Sequence, residues 1–383
     1  MRKNIISAAV AALTALPASV SCADSGLPEW AFGEFVRPEC ANPIIEPDTS
    51  STFFCPMRNS LVRWECADTF NPGAVEKDGK VCILYRAEDD PTAGIGGRTS
   101  RLGYAESADG VTIDYRSPVP VMFPDSSAVS RRYEWKGGCE DPRIVETRVD
   151  GQTVYVMTYT SWNNETPRLS TATSQDLKHW THHGPAFGDA CGGKFRDFAC
   201  KSGSIVTELK DGRLTATKVN VNGKESYLMY WGELWVCAAT SDDLVHWTPV
   251  TDSGGSLAYL AHPRKGHFDS SLTECGPPAV KTGHGIVLLY NGKNAVTEAE
   301  ADNDYPLNTY AAGQMLFSSD NPLRLLDRLD KPFFKPETDF EKSGQFVSGT
   351  VFIEGLVHHL GKWFLYYGCA DSKVGVAVYE PQS

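Results

Sequence analysis

The side chains best able to do chemistry sit in short phrases where a charge lies beside Gly, Pro or an aromatic ring. In Gly138-Cys139-Glu140-Asp141-Pro142-Arg143 two carboxylates are adjacent and an arginine follows. Proline donates nothing to a sheet ladder, so this phrase is not the middle of a regular central strand. Arg143 can pair with one carboxylate and lower its pKa while burial raises the other's. That separation is what acid–base catalysis requires; the same residues would also make a plain salt-bridged turn. Similar phrases are Thr69-Phe70-Asn71-Pro72-Gly73-Ala74 with Leu84-Tyr85-Arg86-Ala87-Glu88, Trp231-Gly232-Glu233-Leu234-Trp235, Thr273-Glu274-Cys275-Gly276-Pro277-Pro278 and Tyr367-Gly368-Cys369-Ala370-Asp371. Each sets a polar group in an aromatic or Gly-Pro surrounding, as sugar sites do. One phrase alone reads as structural; their recurrence along the chain points to one shared site.

Repeated elements must bring these phrases together. A turn recurs at Glu106-Ser107-Ala108-Asp109, Thr173-Ser174-Gln175-Asp176, Thr240-Ser241-Asp242-Asp243 and Phe317-Ser318-Ser319-Asp320, its serines 67, 67 and 77 positions apart. The Ser and Asp side chains can bond nearby backbone amides and fix a tight turn between two strands. Two copies continue to Trp180 and Trp247, which are expected to pack between neighbouring sheets. Val81–Tyr85, Val154–Tyr159, Gly285–Tyr290 and Trp363–Tyr367 are β-branched or aromatic runs that read as strands. A repeat of roughly 70 residues of short antiparallel strands suggests a propeller blade. Four copies and a terminal strand at Val374–Val378 predict an all-β, five-bladed β-propeller over residues 61–383, with a Pro- and Cys-rich N-terminal extension over 24–60. Two β-sandwiches reusing one turn would not require such even spacing.

The chain has 383 residues and a net charge of −12, which excludes nucleic acid as an expected partner. Met1-Arg2-Lys3-Asn4 and the apolar run Ile5–Val20 read as a secretory signal over residues 1–21. The run is broken by Ser7, Thr14 and Pro17 and is too short for a transmembrane segment. Either cleavage follows Ala23 or Cys22 carries a lipid anchor, so the protein is expected in the periplasm or as a cell-surface lipoprotein. Eleven cysteines become ten without Cys22. Cys82, Cys237 and Cys369 lie in apolar runs where Cys acts as a small buried hydrophobe. No Cys-x-x-Cys pair or histidine spacing suggests a metal, and no cofactor is expected. Disulfide pairing and oligomeric state stay open.

Asn71-Pro72-Gly73-Ala74, Tyr85-Arg86-Ala87-Glu88, Ser100-Arg101-Leu102-Gly103-Tyr104-Ala105, Glu140-Asp141-Pro142-Arg143, Asp243-Leu244-Val245-His246-Trp247 and Gly276-Pro277-Pro278 together resemble glycoside hydrolase family 130. The resemblance runs from about residue 68 to 377. It implies a five-bladed propeller and action on β-mannosides, by inverting phosphorylases or β-1,2-mannosidases. It implies Asp141 as general acid, with the proton passing through a sugar hydroxyl, and Asn71, Arg86, Arg101 and Asp371 as ligands of the mannose. Arg143 and Asn291 join this candidate sugar-binding set.

Where phosphorylases of this family carry His-Arg-Pro and Tyr-His-Gly, this chain reads Trp231-Gly232-Glu233 and Tyr290-Asn291-Gly292. Phosphate binding needs cations or a helix N-terminus, and glutamates would repel it. Glu233 and Glu274 resemble the glutamates assigned as base in the family's β-1,2-mannosidases, with the choice between them open. The resulting expectation is an inverting, exo-acting β-1,2-mannosidase on mannan-derived oligosaccharides. The competing readings are a mannoside phosphorylase, a non-catalytic glycan-binding propeller and a five-bladed glycosidase acting on arabinan or xylan.

Overall fold

The computed structural model describes residues 26–94 and 97–381. The proposed signal and Cys22 lie outside the described residues. The regular structure of the described residues is almost all β-strand, arranged as five successive antiparallel meanders. The first is Asp68–Lys77, Lys80–Glu88, Ser100–Ser107 and Tyr115–Arg116. The second is Gly138–Val149, Gln152–Trp162, Pro167–Ser174 and Thr181–Pro185. The third joins Gly203–Lys210 to Lys224–Trp231, Cys237–Ser241 and Thr248–Pro249. In the fourth, Leu272–Cys275 and Ala279–Thr282 share the partner Gly285–Lys293, followed by Tyr310–Phe317 and Leu325–Arg328. The fifth is Val351–His359, Lys362–Cys369 and Lys373–Tyr379.

The continuous apolar runs follow from burial of both faces of each sheet. In Val81-Cys82-Ile83-Leu84-Tyr85, alternate side chains point to opposite faces. Val81, Ile83 and Tyr85 pack with Val357, Phe364 and Tyr366 of the fifth sheet. Cys82 and Leu84 pack with Ile144, Tyr155 and Met157 of the second. The same division places clusters between the second and third sheets, the third and fourth, and the fourth and fifth. Each sheet therefore packs on its successor and the fifth packs back on the first. Complete burial of each Val, Leu or Ile contributes about 1.5–3 kcal/mol.

The Ser-x-Asp turns form as anticipated. Ser174 Oγ accepts from Leu177 N, and Asp176 Oδ1 accepts from Lys178 N and His179 N; Ser241 and Asp243 repeat these bonds. Trp247 is buried between the second and third sheets beside Phe187, and Trp180 packs between the first and second. Segment 32–45 runs along the fifth sheet's outer edge, with bridges Val36↔Val378 and Ile45↔Val374. Arg37 there reaches Glu341 at 2.7 Å. The ten described cysteines are all free thiols, and Cys82, Cys237 and Cys369 are buried.

The first strands of the sheets meet at the centre. A Cβ on Gly73 would lie 2.4 Å from the Pro142 carbonyl oxygen, and one on Gly355 2.9 Å from that of Pro72. The register shifts at these crossings, between Phe70 and Pro72, Glu140 and Arg143, and Ile353 and Gly355. Gly276-Pro277-Pro278 interrupts the fourth sheet at the corresponding place. Such bulges re-aim side chains, and here they prepare the site.

Candidate active site

The bulges put Asn71 at φ 47° and Asp141 at φ 53°, and a turn puts Asp371 at φ 53°. Asn and Asp tolerate this left-handed region better than other non-glycine residues. All three line a central cavity of about 390 Å³ with Arg86, Glu88, Glu140, Lys201, Glu233 and Glu274. Phe70, Trp162, Tyr310, Phe346 and Phe352 supply its aromatic surface. Size and lining suit a small polar ligand with apolar ring faces.

Arg86 organises the first two sheets' contribution. Its guanidinium donates to Glu88 Oε1 at 2.7 Å, Glu140 Oε1 at 2.9 Å and Asp141 Oδ1 at 3.1 Å. It also lies over the Phe70 ring, 4.7 Å from the centroid. Asn71 Nδ2 donates to the same Asp141 oxygen at 2.9 Å, which leaves Oδ2 to the cavity. Burial alone would raise the Asp141 carboxyl, but Arg86, Lys201 and the Asn71 bond outweigh it and hold it below its ordinary range. Burial raises neighbouring Glu140 against Arg86, and the Asp141 charge adds to the rise. The adjacent carboxylates are thus driven apart, Glu140 lifted by burial and Asp141 held down mainly by Arg86, with Lys201, Asn71 and Arg143 adding to it.

Glu233 and Glu274 come from the third and fourth sheets. The Glu233 side chain is 42% exposed, and its Oε1 lies 3.9 Å from Lys201 Nζ. Glu274 is buried and accepts a hydrogen bond from Ser202 Oγ. Burial and the Glu233 charge push the Glu274 carboxyl up to about 8. Burial would lower Lys201, but Glu233, Asp141, Glu274 and Glu140 together raise it above the usual lysine range. Burial also pushes Asp371 up to about 6, against the pull of Arg86.

Three of the anticipated sugar ligands are not part of the cavity wall. Arg101 is fully buried, donating to Asp89 Oδ2 at 2.8 Å and to Cys55 Sγ at 3.3 Å, so it ties the N-terminal segment down. Arg143 donates to the carbonyls of Gly276, Cys275 and Asp141 and pairs with buried Glu354 at 3.1 Å. It braces the Asp141 backbone and does not bind the Glu140 or Asp141 carboxylate. Asn291 exchanges two hydrogen bonds with Ile353, at 2.8 and 3.1 Å, linking the fourth and fifth sheets. Conversely, Lys201, Trp162, Tyr310, Gln345 and Phe346 line the cavity without having stood out in sequence. Lys201 follows Cys200 in an irregular stretch with no phrase around it, and no local signal marks it.

The glycoside hydrolase family 130 model, described as beta-1,4-mannooligosaccharide phosphorylase, matches residues 39–382. A 1,2-beta-oligomannan phosphorylase of Thermoanaerobacter sp. (strain X514) is 31% identical over 324 residues, covering 83% of this chain and 91% of its own. A solved structure is 56% identical with TM-score 0.88, covering 93% of this chain and 96% of its own. It is described by the statement that the GH130 family of mannoside phosphorylases contains glycoside hydrolases that target β-1,2 mannosidic linkages in Candida mannan. A glycosyl hydrolase from Bacteroides ovatus, also solved, is 55% identical at TM-score 0.88, with the same coverages of 93% and 96%.

Proposed function

Since the chain belongs to glycoside hydrolase family 130, we propose that it is an inverting, exo-acting β-1,2-mannosidase that uses water, not phosphate, as nucleophile. We read the five meanders as the blades of a five-bladed propeller whose central strands carry the site. The charge of the cavity wall carries the hydrolytic reading. Six carboxyl-bearing residues, Glu88, Glu140, Asp141, Glu233, Glu274 and Asp371, face two cations, Arg86 and Lys201. Arg86 is already bonded to three of those carboxylates. An incoming dianion would meet repulsion where it needs a cationic clamp. The 56% identical structure, whose description speaks of glycoside hydrolases, supports the same reading.

In this mechanism Asn71, Arg86 and Asp371 hold the terminal mannose, and Asp141 Oδ2 delivers the proton through a sugar hydroxyl. Bound sugar completes the burial of the Asp141 carboxylate and so raises its proton affinity. Glu233, the more accessible glutamate, takes the proton from the attacking water. Glu274, still protonated at neutral pH, holds that water by donating to it. Acid and base then act from opposite sides of the anomeric carbon, as inversion requires. An export signal over residues 1–21, as the sequence reads, would fit hydrolysis, because a sugar phosphate made outside the cytoplasm is hard to use.

The relatives named phosphorylases define the competing reaction. Incubation of β-1,2-mannobiose in phosphate-free buffer, followed by NMR, tests the proposal. Mannose appearing first as the α-anomer supports it. Turnover only with added phosphate, yielding mannose 1-phosphate, overturns it, and binding without turnover favours a glycan-binding role.

A further inference from the structure

Four sheets share a buried device. A tyrosine of the second strand donates its hydroxyl to a carboxylate carried on the segment before the first strand. Tyr85 reaches Glu65 at 2.8 Å, Tyr159 reaches Glu134 at 2.6 Å, Tyr290 reaches Asp269 at 2.6 Å and Tyr367 reaches Glu341 at 2.8 Å. In three sheets an arginine on the outermost strand supplies the counter-charge. Arg116 pairs with Glu65, Arg328 with Asp269, and Arg37, on the edge segment of the fifth sheet, with Glu341. The second sheet departs from this pattern. Its outermost strand presents His182, whose Nδ1 lies 2.8 Å from Glu134 Oε1.

The same place holds a thiol. Glu134, Cys139 and His182 each offer a ligand atom, and these atoms all lie within 4.8 Å of one another. Tyr159 and His182 both use Glu134 Oε1, while Glu134 Oε2 is buried without a hydrogen-bond partner. Glu134 and Cys139 are wholly buried. His182 forms part of the wall of an outer cavity of about 460 Å³ that also includes Asp125. Thus, beside the carboxylate that all four sheets share, the second sheet carries an imidazole in place of the guanidinium and a thiol close by, with one carboxylate oxygen unpartnered and a route to solvent through His182.

We propose that Glu134, Cys139 and His182 bind one divalent cation of zinc type in place of the missing arginine. One carboxylate and one thiolate neutralise a dication, and a neutral imidazole completes three ligands of the kinds zinc takes. Water from the outer cavity supplies the fourth position. On binding, the Cys139 S–H gives its proton to solvent, as does the imidazolium where protonated. Tyr159, donating to Glu134, orients the ligating carboxylate from outside the coordination sphere. The ion would tie the outermost strand of the second sheet to the start of the strand carrying Asp141.

The test uses the purified enzyme, stripped with a chelator and titrated with Co²⁺ and then Zn²⁺. The expected result is one equivalent of Co²⁺ per chain with a thiolate-to-cobalt absorption in the near ultraviolet, displaced by Zn²⁺. Cys139→Ser abolishes the absorption, and Tyr159→Phe weakens affinity by about tenfold to a hundredfold. Absence of stoichiometric binding in the wild-type enzyme overturns the proposal, as does an absorption unchanged in Cys139→Ser. In either case imidazolium His182 is the counter-charge.

Discussion

Asn71 Nδ2 donates to Asp141 Oδ1 at 2.9 Å across two neighbouring sheets, and both residues hold left-handed backbone, at φ 47° and 53°. Each precedes a proline and occupies a bulge in the first strand of its sheet. Backbone of this kind costs of order 1–3 kcal/mol per residue and persists only where surroundings enforce it. Here the bond between them, Arg86 and the Arg143 brace on the Asp141 carbonyl do so.

Replacing Asp141 by Asn removes the proton donor and keeps the side chain's shape. An amide oxygen in the Oδ1 position still accepts from Asn71 Nδ2 and Arg86, so the variant should fold. Its kcat on β-1,2-mannobiose should fall by about 10²–10⁴-fold, the usual worth of a positioned acid. Steady-state kinetics with a parallel melting curve checks this, and near wild-type turnover would remove Asp141 from the mechanism.

Glu274 should impose an alkaline limit. Burial and Glu233 raise its carboxyl to about 8, so the folded protein holds a proton there that the unfolded chain releases near 4.5. The associated stability is fully present below about pH 4.5 and is lost as pH rises through about 8. Glu274→Gln keeps a neutral hydrogen-bond donor. It should therefore melt several degrees above wild type at pH 9, with little difference at pH 4, and should lack the fall in kcat above pH 8. Glu233→Gln should be inactive at every pH. Melting and rate profiles that coincide for wild type and Glu274→Gln would contradict this account.

Asn291→Ala should injure stability and spare binding. The change leaves the Ile353 N–H and C=O without the partners they have now, at about 1–3 kcal/mol for each buried group. The melting temperature should drop by several degrees while KM for mannobiose, measured well below it, stays within about twofold. A large rise in KM would return Asn291 to the sugar site.

Gly73→Ala should disturb the centre of the molecule. Its Cβ would fall 2.4 Å from the Pro142 carbonyl oxygen, which is backbone and cannot swing aside. Overpacking of this kind costs about 1–3 kcal/mol and displaces the strand that carries Asp141. Gly283→Ala, where nothing lies within 4 Å, is the control. Thermal melts and kcat should separate the two, and equal behaviour would refute the close crossing of the central strands.

Much of this protein was legible along the chain. Strands such as Val81–Tyr85 and Gly285–Tyr290 announce themselves because burial of both sheet faces demands unbroken apolar runs. The Ser-x-Asp turns are local hydrogen-bond devices, so they mark the same point in successive sheets. The Asn71-Pro72, Glu140-Asp141-Pro142, Glu233, Glu274 and Asp371 phrases locate the cavity because bulges and sharp turns need special residues, and those leave a local trace.

Only the tertiary structure decided which charge faces which. Arg86 and Arg143 each lie near the carboxylate pair by one criterion, in space or in sequence. Strand pairing turns Arg86 onto the carboxylates and Arg143 away to Gly276 and Glu354. Lys201 enters the cavity, and Arg101 and Asn291 leave it, through contacts between segments far apart in the chain. Glu134, Cys139 and His182 likewise meet only when a connection and two strands are laid together. Electrostatic pairing depends on separation in space, and sequence spacing records that separation only within a single turn or strand.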